Sequence, residues 1–154
     1  MMIKTFLMAA TFAGAAGAVV AQSVTAAYPE TVTRALEDLG YSAEIGIDSV
    51  GDPQVTSSIN GLNYVILFYG CTDNTSCEDI QFRATFQTEG SVSRDILHDW
   101  NRDYFVGKAY LSDSGSAVIE HAVVSVDGMS RSTFERVLWR WDRALTSFTE
   151  QIEW

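Results

Sequence analysis

Basic residues are scarce in this 154-residue chain, where ten lysines and arginines stand against twenty aspartates and glutamates. That balance excludes nucleic acid as a partner, because neutralising phosphates takes clustered Lys and Arg. Histidine and cysteine number only two each. Two thiols, Cys71 and Cys77, without a nearby imidazole fall short of a zinc set, and five intervening residues do not make a Cys-x-x-Cys redox motif. The chain has no phosphate-cradling glycine loop, no dinucleotide fingerprint and no twelve-residue calcium loop with its glycine and terminal glutamate. No metal or cofactor is therefore expected. Nor does any apolar run make the about 20 mostly apolar residues of a membrane-spanning helix.

What the chain does have begins at its N-terminus. Lys4, a run of small and apolar residues from Thr5 to Val20, and the small-x-small site Val19-Val20-Ala21 follow the order of a secretory signal peptide. Residues 1–21 are expected to be cleaved, leaving one domain over 22–154 in the periplasm or secreted, with no stable membrane insertion. No cysteine follows the run, so a lipid anchor is not offered. Removing Lys4 leaves nine basic against twenty acidic residues, a formal charge of −11 that keeps an exported protein soluble. In an oxidising compartment Cys71 and Cys77, at the shoulders of a polar loop, can pair as a disulfide.

Residues 29 to 39 have helical spacing: Pro29 suits a first turn, Val32, Ala35, Leu36 and Leu39 share a face, and Gly40 stands where a left-handed cap ends a helix. A strand is expected over 43–47. Gly51-Asp52-Pro53 then turns the chain into a second extended piece ending at Ile59. Asn60-Gly61 fits a type I′ hairpin turn, whose two central residues need positive φ. Leu62 to Tyr69 is nearly continuous in Val, Ile, Leu, Phe and Tyr, which predicts a central strand with both faces covered. Ile80 to Gln87 alternates instead. Phe82, Ala84 and Phe86 point one way and Gln81, Arg83, Thr85 and Gln87 the other, so one sheet face should be wet there.

Helical spacing returns from Ser91 to Tyr104, with Val92, Ile96, Trp100 and Tyr104 each four apart. Segments 106–111 and 117–126 predict a hairpin turning on Asp113-Ser114-Gly115. The last helix is expected over 132–154, opened by a capping box of Ser132 and Glu135. Its seam of Phe134, Leu138, Trp141, Leu145, Phe148 and Ile152 must be buried, against the sheet or against another helix of a second molecule. The order α-β-β-β-β-α-β-β-α gives an α+β fold, an antiparallel sheet with helices packed on it.

Catalytic candidates are few. Asp113-Ser114-Gly115 faintly resembles a nucleophile turn, but only His98 and His121 are available as its base, and a hairpin turn explains it better. Asp95, Asp99 and Asp103 recur every four residues on a solvated helix face, where Arg94 and Arg102 can answer them. Asp73, Asn74, Glu78 and Asp79 read as solvated loop rather than a calcium site. No catalytic residue is assigned. Arg136, Arg140 and Arg143, with Trp139 beside them off the buried seam, form a basic and aromatic stripe. Arg and Trp are enriched at binding hot spots, which makes this stripe the candidate partner surface.

Phe68-Tyr69-Gly70-Cys71 with Cys77, Ile80-Gln81-Phe82-Arg83-Ala84, Asp99-Trp100-Asn101-Arg102 and Gly107-Lys108-Ala109-Tyr110-Leu111 together resemble the YbjN family, described as bacterial sensory transduction regulators. The resemblance spans the first helix to the last and implies a fold like that of type III secretion chaperones. It implies no reaction, and by analogy with those chaperones it implies binding of a protein or peptide, a second copy included. A periplasmic small-ligand or metal sensor is the alternative.

Overall fold

Pro29, which has no N–H to leave unpaired in a first turn, opens the first element of the computed structural model, which describes residues 23–154. The expected signal peptide and its cleavage site lie outside the described residues. The elements run α1 (Pro29–Asp38), β1 (Ala43–Ile47), β2 (Pro53–Ile59), β3 (Leu62–Tyr69), β4 (Asp79–Phe86), α2 (Arg94–Asp103), β5 (Lys108–Leu111), β6 (Ala117–Val124) and α3 (Arg131–Gln151). This is the α+β order read from the sequence. One six-stranded antiparallel sheet has the order β1-β2-β3-β4-β6-β5.

Asn60 (φ 52°) and Gly61 (φ 80°) supply the two positive-φ positions that close β2 onto β3, where Ile59 faces Leu62. The side chain of Asn60 also donates to Asp142 of α3 at 2.7 Å, tying that turn to the helix. The β3–β4 hairpin puts Tyr69 opposite Asp79 and brings Cys71 and Cys77 together at its neck as a disulfide.

Alternation sorts the strands into two faces. Val55, Tyr64, Ile66, Phe68, Ile80, Phe82, Ala84 and Ile119 share a core with α1 (Val32, Leu36), α2 (Leu97, Trp100) and α3 (Phe134, Leu138, Trp141, Leu145, Phe148). Phe82 anchors it, with the rings of Tyr64, Phe134 and Trp141 at 5.6–6.3 Å. The α3 seam is thus buried in its own domain, which answers the question of an intermolecular pairing. Ile152, now the C-cap, is buried with it.

Three expectations are corrected. Among the described residues the second face of β3 carries no helix: Tyr69 is exposed and Val65 half-buried, and only Leu67 is buried there. The apolar run of β3 reflects its central place, not a covered second face. The cap of α3 is Ser130, whose hydroxyl accepts the Thr133 N–H at 3.1 Å; Ser132 already lies inside the helix, so no capping box with Glu135 forms. Ser130 wins because its backbone is extended (φ −66°, ψ 155°), as a cap requires. Likewise Ser93 caps α2 through the Ile96 N–H, and Tyr104 has left the helix (φ −111°, ψ 133°). Its ring nonetheless stacks on Trp100 at 3.9 Å, which keeps the predicted contact by another backbone route.

Candidate functional site

With Phe134, Leu138, Trp141, Leu145 and Phe148 turned inward, helical geometry must turn positions 136, 139, 140 and 143 outward. Arg136, Arg140 and Arg143 are exposed, and Trp139 keeps 59% of its surface in solvent. The Arg143 guanidinium lies 5.3 Å from the Trp139 ring centre. Among the described residues none of the three arginines makes an ion pair, although the chain is strongly acidic.

The α2–β5 loop completes the site, and sequence reasoning missed it. Tyr104, Phe105 and Val106 face Trp139, Arg140, Arg143, Ala144 and Ser147 across an open groove of about 240 Å³. Phe105 is 95% exposed. The result is an exposed patch in which aromatic surface lies beside arginines that make no ion pair among the described residues, the composition in which binding hot spots are enriched. The only signal in sequence was an aromatic pair, Tyr104-Phe105, just past a helix end.

His121 sits behind this surface, on the core-facing side of β6 opposite Phe82. Burial, and secondarily the Arg140 charge, lower its pKa from the ordinary histidine value. The unfolded chain therefore binds the proton more readily, so this stabilising contribution is complete above about pH 6.5 and is lost as pH falls through the lower folded value. Denaturant melts at about pH 7.5 and pH 5 should show a smaller acid loss for His121→Gln than for the parent. An unchanged loss would place the acid sensitivity elsewhere.

The wet sheet face holds a second polar assembly that single-strand reading could not foresee. Glu120 is only 6% exposed, and its Oε1 accepts from Arg83 Nε at 2.7 Å and from the Tyr110 hydroxyl at 2.6 Å. Arg83 also donates to Gln81 at 3.2 Å and to the Tyr69 hydroxyl at 3.3 Å, while Lys108 approaches Glu120 at 3.7 Å. Burial, then the Glu120 carboxylate, pushes the Tyr110 hydroxyl up to about 12. Tyr69, Gln81, Arg83, Tyr110 and Glu120 line a shallow hollow of about 450 Å³. They hydrogen-bond one another, as a buried charge demands.

Other candidates do not converge. The Ser114 hydroxyl pairs with Ser112 and Ser116, and no hydrogen bond joins it to His98. His98 lines an open 700 Å³ cleft with Arg94 and Asp113, between α2 and the β5–β6 turn. Arg102 answers Asp99 at 2.6 Å and Asp103 at 2.8 Å and holds the Asp103 carboxyl below its usual range, whereas Arg94 makes no ion pair among the described residues. Asn74 binds Asp52, and Asp79 accepts from the Ser125 N–H, so the disulfide loop turns its polar groups to the neighbouring turn and to the end of β6. Among the described residues no three His, Cys, Asp or Glu side chains gather in metal-binding geometry.

The resemblance segments have physical work of their own. Trp100 Nε1 donates to the Gly107 carbonyl at 2.6 Å, and the Asn101 amide both donates to and accepts from the backbone of Ala109 at 2.8 Å. These contacts dock α2 on β5. A family model described as "YbjN: Putative bacterial sensory transduction regulator" matches residues 28–154. The chain belongs to the YbjN family. The crystal structure of YbjN from E. coli superimposes with a TM-score of 0.59 at 17% identity, covering 79% of this chain and 88% of that one. At that identity the likeness speaks for the fold. No curated protein matches the chain. In this YbjN domain the motif residues hold elements together, whereas the α3 groove is built from positions outside them.

Proposed function

We propose that this YbjN-family chain is an exported, non-enzymatic regulatory domain that binds a partner protein or peptide through the α3 groove, taking an acidic segment that carries apolar side chains. One observation carries the reading: Trp139 and Phe105 stand in solvent beside Arg136, Arg140 and Arg143, which lack ion-pair partners among the described residues. Long-range attraction to an anionic partner sets encounter rate and specificity, while the aromatic pair supplies desolvated contact. A small-ligand sensor would use the Arg83–Glu120–Tyr110 hollow, where the polar groups already bind each other, or the open His98 cleft, where His98, Arg94 and Asp113 do not converge on a common point. The groove is the better site.

A synthetic peptide alternating glutamate with leucine and phenylalanine serves as probe. The paired reversal Arg140→Glu with Arg143→Glu should slow its association by about tenfold or more at low salt, with the melting temperature nearly unchanged. Equal association by parent and variant would move the binding surface elsewhere, and a large fall in melting temperature would make the arginines structural.

Export rests on the N-terminal charge and apolar pattern of residues 1–21 together with the Cys71–Cys77 pair. Thiol titration of denatured protein, isolated without reductant from the cell envelope, should find no free thiol. Two free thiols would contradict the exported reading. The cross-link closes a short loop, so its contribution is roughly 2–3 kcal/mol.

A further inference from the structure

The two edges of the sheet are finished differently. At the start of β5 the Gly107 carbonyl and the outward N–H and C=O of Ala109 are taken by Trp100 and Asn101 of α2, which blocks that part of the edge to a further strand. At β1 nothing comparable is present among the described residues. Ile45 is 49% exposed and Ile47 73%, with Val50 equally open in the following turn.

The direction of the β1 backbone groups follows from register. Asp48 donates to the Asp52 carbonyl at 2.8 Å, and the pairs continue as Ile47–Pro53, Gly46–Gln54, Ile45–Val55, Glu44–Thr56 and Ala43–Ser57. Bonded and non-bonded pairs alternate in an antiparallel ladder. Glu44 and Gly46 therefore bond to β2, while Ala43, Ile45 and Ile47 direct N–H and C=O away from the sheet. Pro53, opposite Ile47, has no N–H to give, in accord with this phase.

We propose that β1 is a homodimerisation edge, pairing antiparallel with β1 of a second copy about a two-fold axis at Ile45. That register sets Ile45 against Ile45 and Ala43 against Ile47, each in a narrow pair that exchanges two N–H···O bonds. The apolar side chains of both copies then meet on the helix-bearing face. The one charged residue of the strand, Glu44, falls opposite Gly46 of the second copy, so two strands from this acidic chain meet without like charges opposed. This self-complementarity singles out a second copy as the occupant. The α3 groove is built from other elements and stays open.

Sedimentation velocity of the purified protein over a range of concentrations tests the register itself. The parent should show a concentration-dependent dimer. Gly46→Glu opposes a carboxylate to Glu44 twice by symmetry and should weaken the dimer about tenfold. A side chain at Gly46 meets only the Gln54 side chain, at 3.8 Å, so the monomer accommodates it. Combining it with Glu44→Lys should restore dimerisation, because each carboxylate then faces an ammonium group. Ile47→Lys, at an exposed position, should also weaken the dimer and serves if Gly46→Glu misfolds. A parent that stays monomeric at every concentration, a Gly46→Glu protein that dimerises like the parent, or a double variant that fails to recover would overturn the proposal. The first of these outcomes would leave β1 to a strand from a different protein.

Discussion

Replacing Trp100 or Trp141 with alanine is expected to cost roughly 3–5 kcal/mol of folding stability, and replacing Trp139 under about 0.5 kcal/mol. Trp100 and Trp141 are fully buried. Trp100 stacks on Tyr104, meets Phe148 edge-on at 5.0 Å and donates to the Gly107 carbonyl, so its removal leaves a cavity and an orphaned acceptor. Trp141 packs on Tyr64 and Phe82, but its indole N–H has no acceptor among the described residues. Trp141→Phe should consequently be milder than Trp141→Ala. Urea melts of the four variants decide the matter. Equal losses at positions 100, 139 and 141 would contradict the helical phase assigned to α2 and α3.

Gly107→Ala should cost about 2–4 kcal/mol, far more than an exposed glycine change usually does. Two effects add at this residue. Its φ of +92° strains any side-chain-bearing residue, and a Cβ there would stand 2.6 Å from Cδ1 and 2.9 Å from Cγ1 of Ile119, which is wholly buried and has little room to yield. Gly61→Ala makes the control, because its φ is +80° but nothing lies within 4 Å of the added carbon. That change should cost only about 1 kcal/mol. Equal losses in denaturant melts would mean that the close approach of Gly107 to Ile119 does not constrain the fold.

The fold was legible because its elements repeat local patterns. Period-two alternation marked β4, the four-and-three spacing of large apolar residues marked α3, and Asn60-Gly61 marked the β2–β3 hairpin. Element ends were less legible. Ser130 and Ser132 are the same residue type two apart, and which one caps α3 depends on where Met129 leaves its bridge to Val24, a contact over a hundred residues apart. The covered second face expected for β3 failed for a similar reason, since an apolar strand does not say how many layers pack on it.

The candidate site divides the same way. The stripe of Arg136, Trp139, Arg140 and Arg143 follows from helical phase alone and was readable. Phe105 was not, because a loop position acquires meaning only when α2 and α3 pack side by side. The Arg83–Glu120 pair needs β4 to lie beside β6, with β5 displaced to the edge. No local pattern announces that crossover.

The central claim is that the Trp139 face of α3 receives a partner segment. Its most direct measurement is the indole N–H spectrum of ¹⁵N-labelled protein titrated with the acidic leucine- and phenylalanine-containing peptide. Trp100, Trp139, Trp141 and Trp154 give four assignable probes. The Trp139 signal should move saturably with peptide, together with the backbone of Tyr104 and Phe105, while Trp100 and Trp141 stay fixed in the core. A Trp139 signal that does not move while the peptide demonstrably binds would contradict the account.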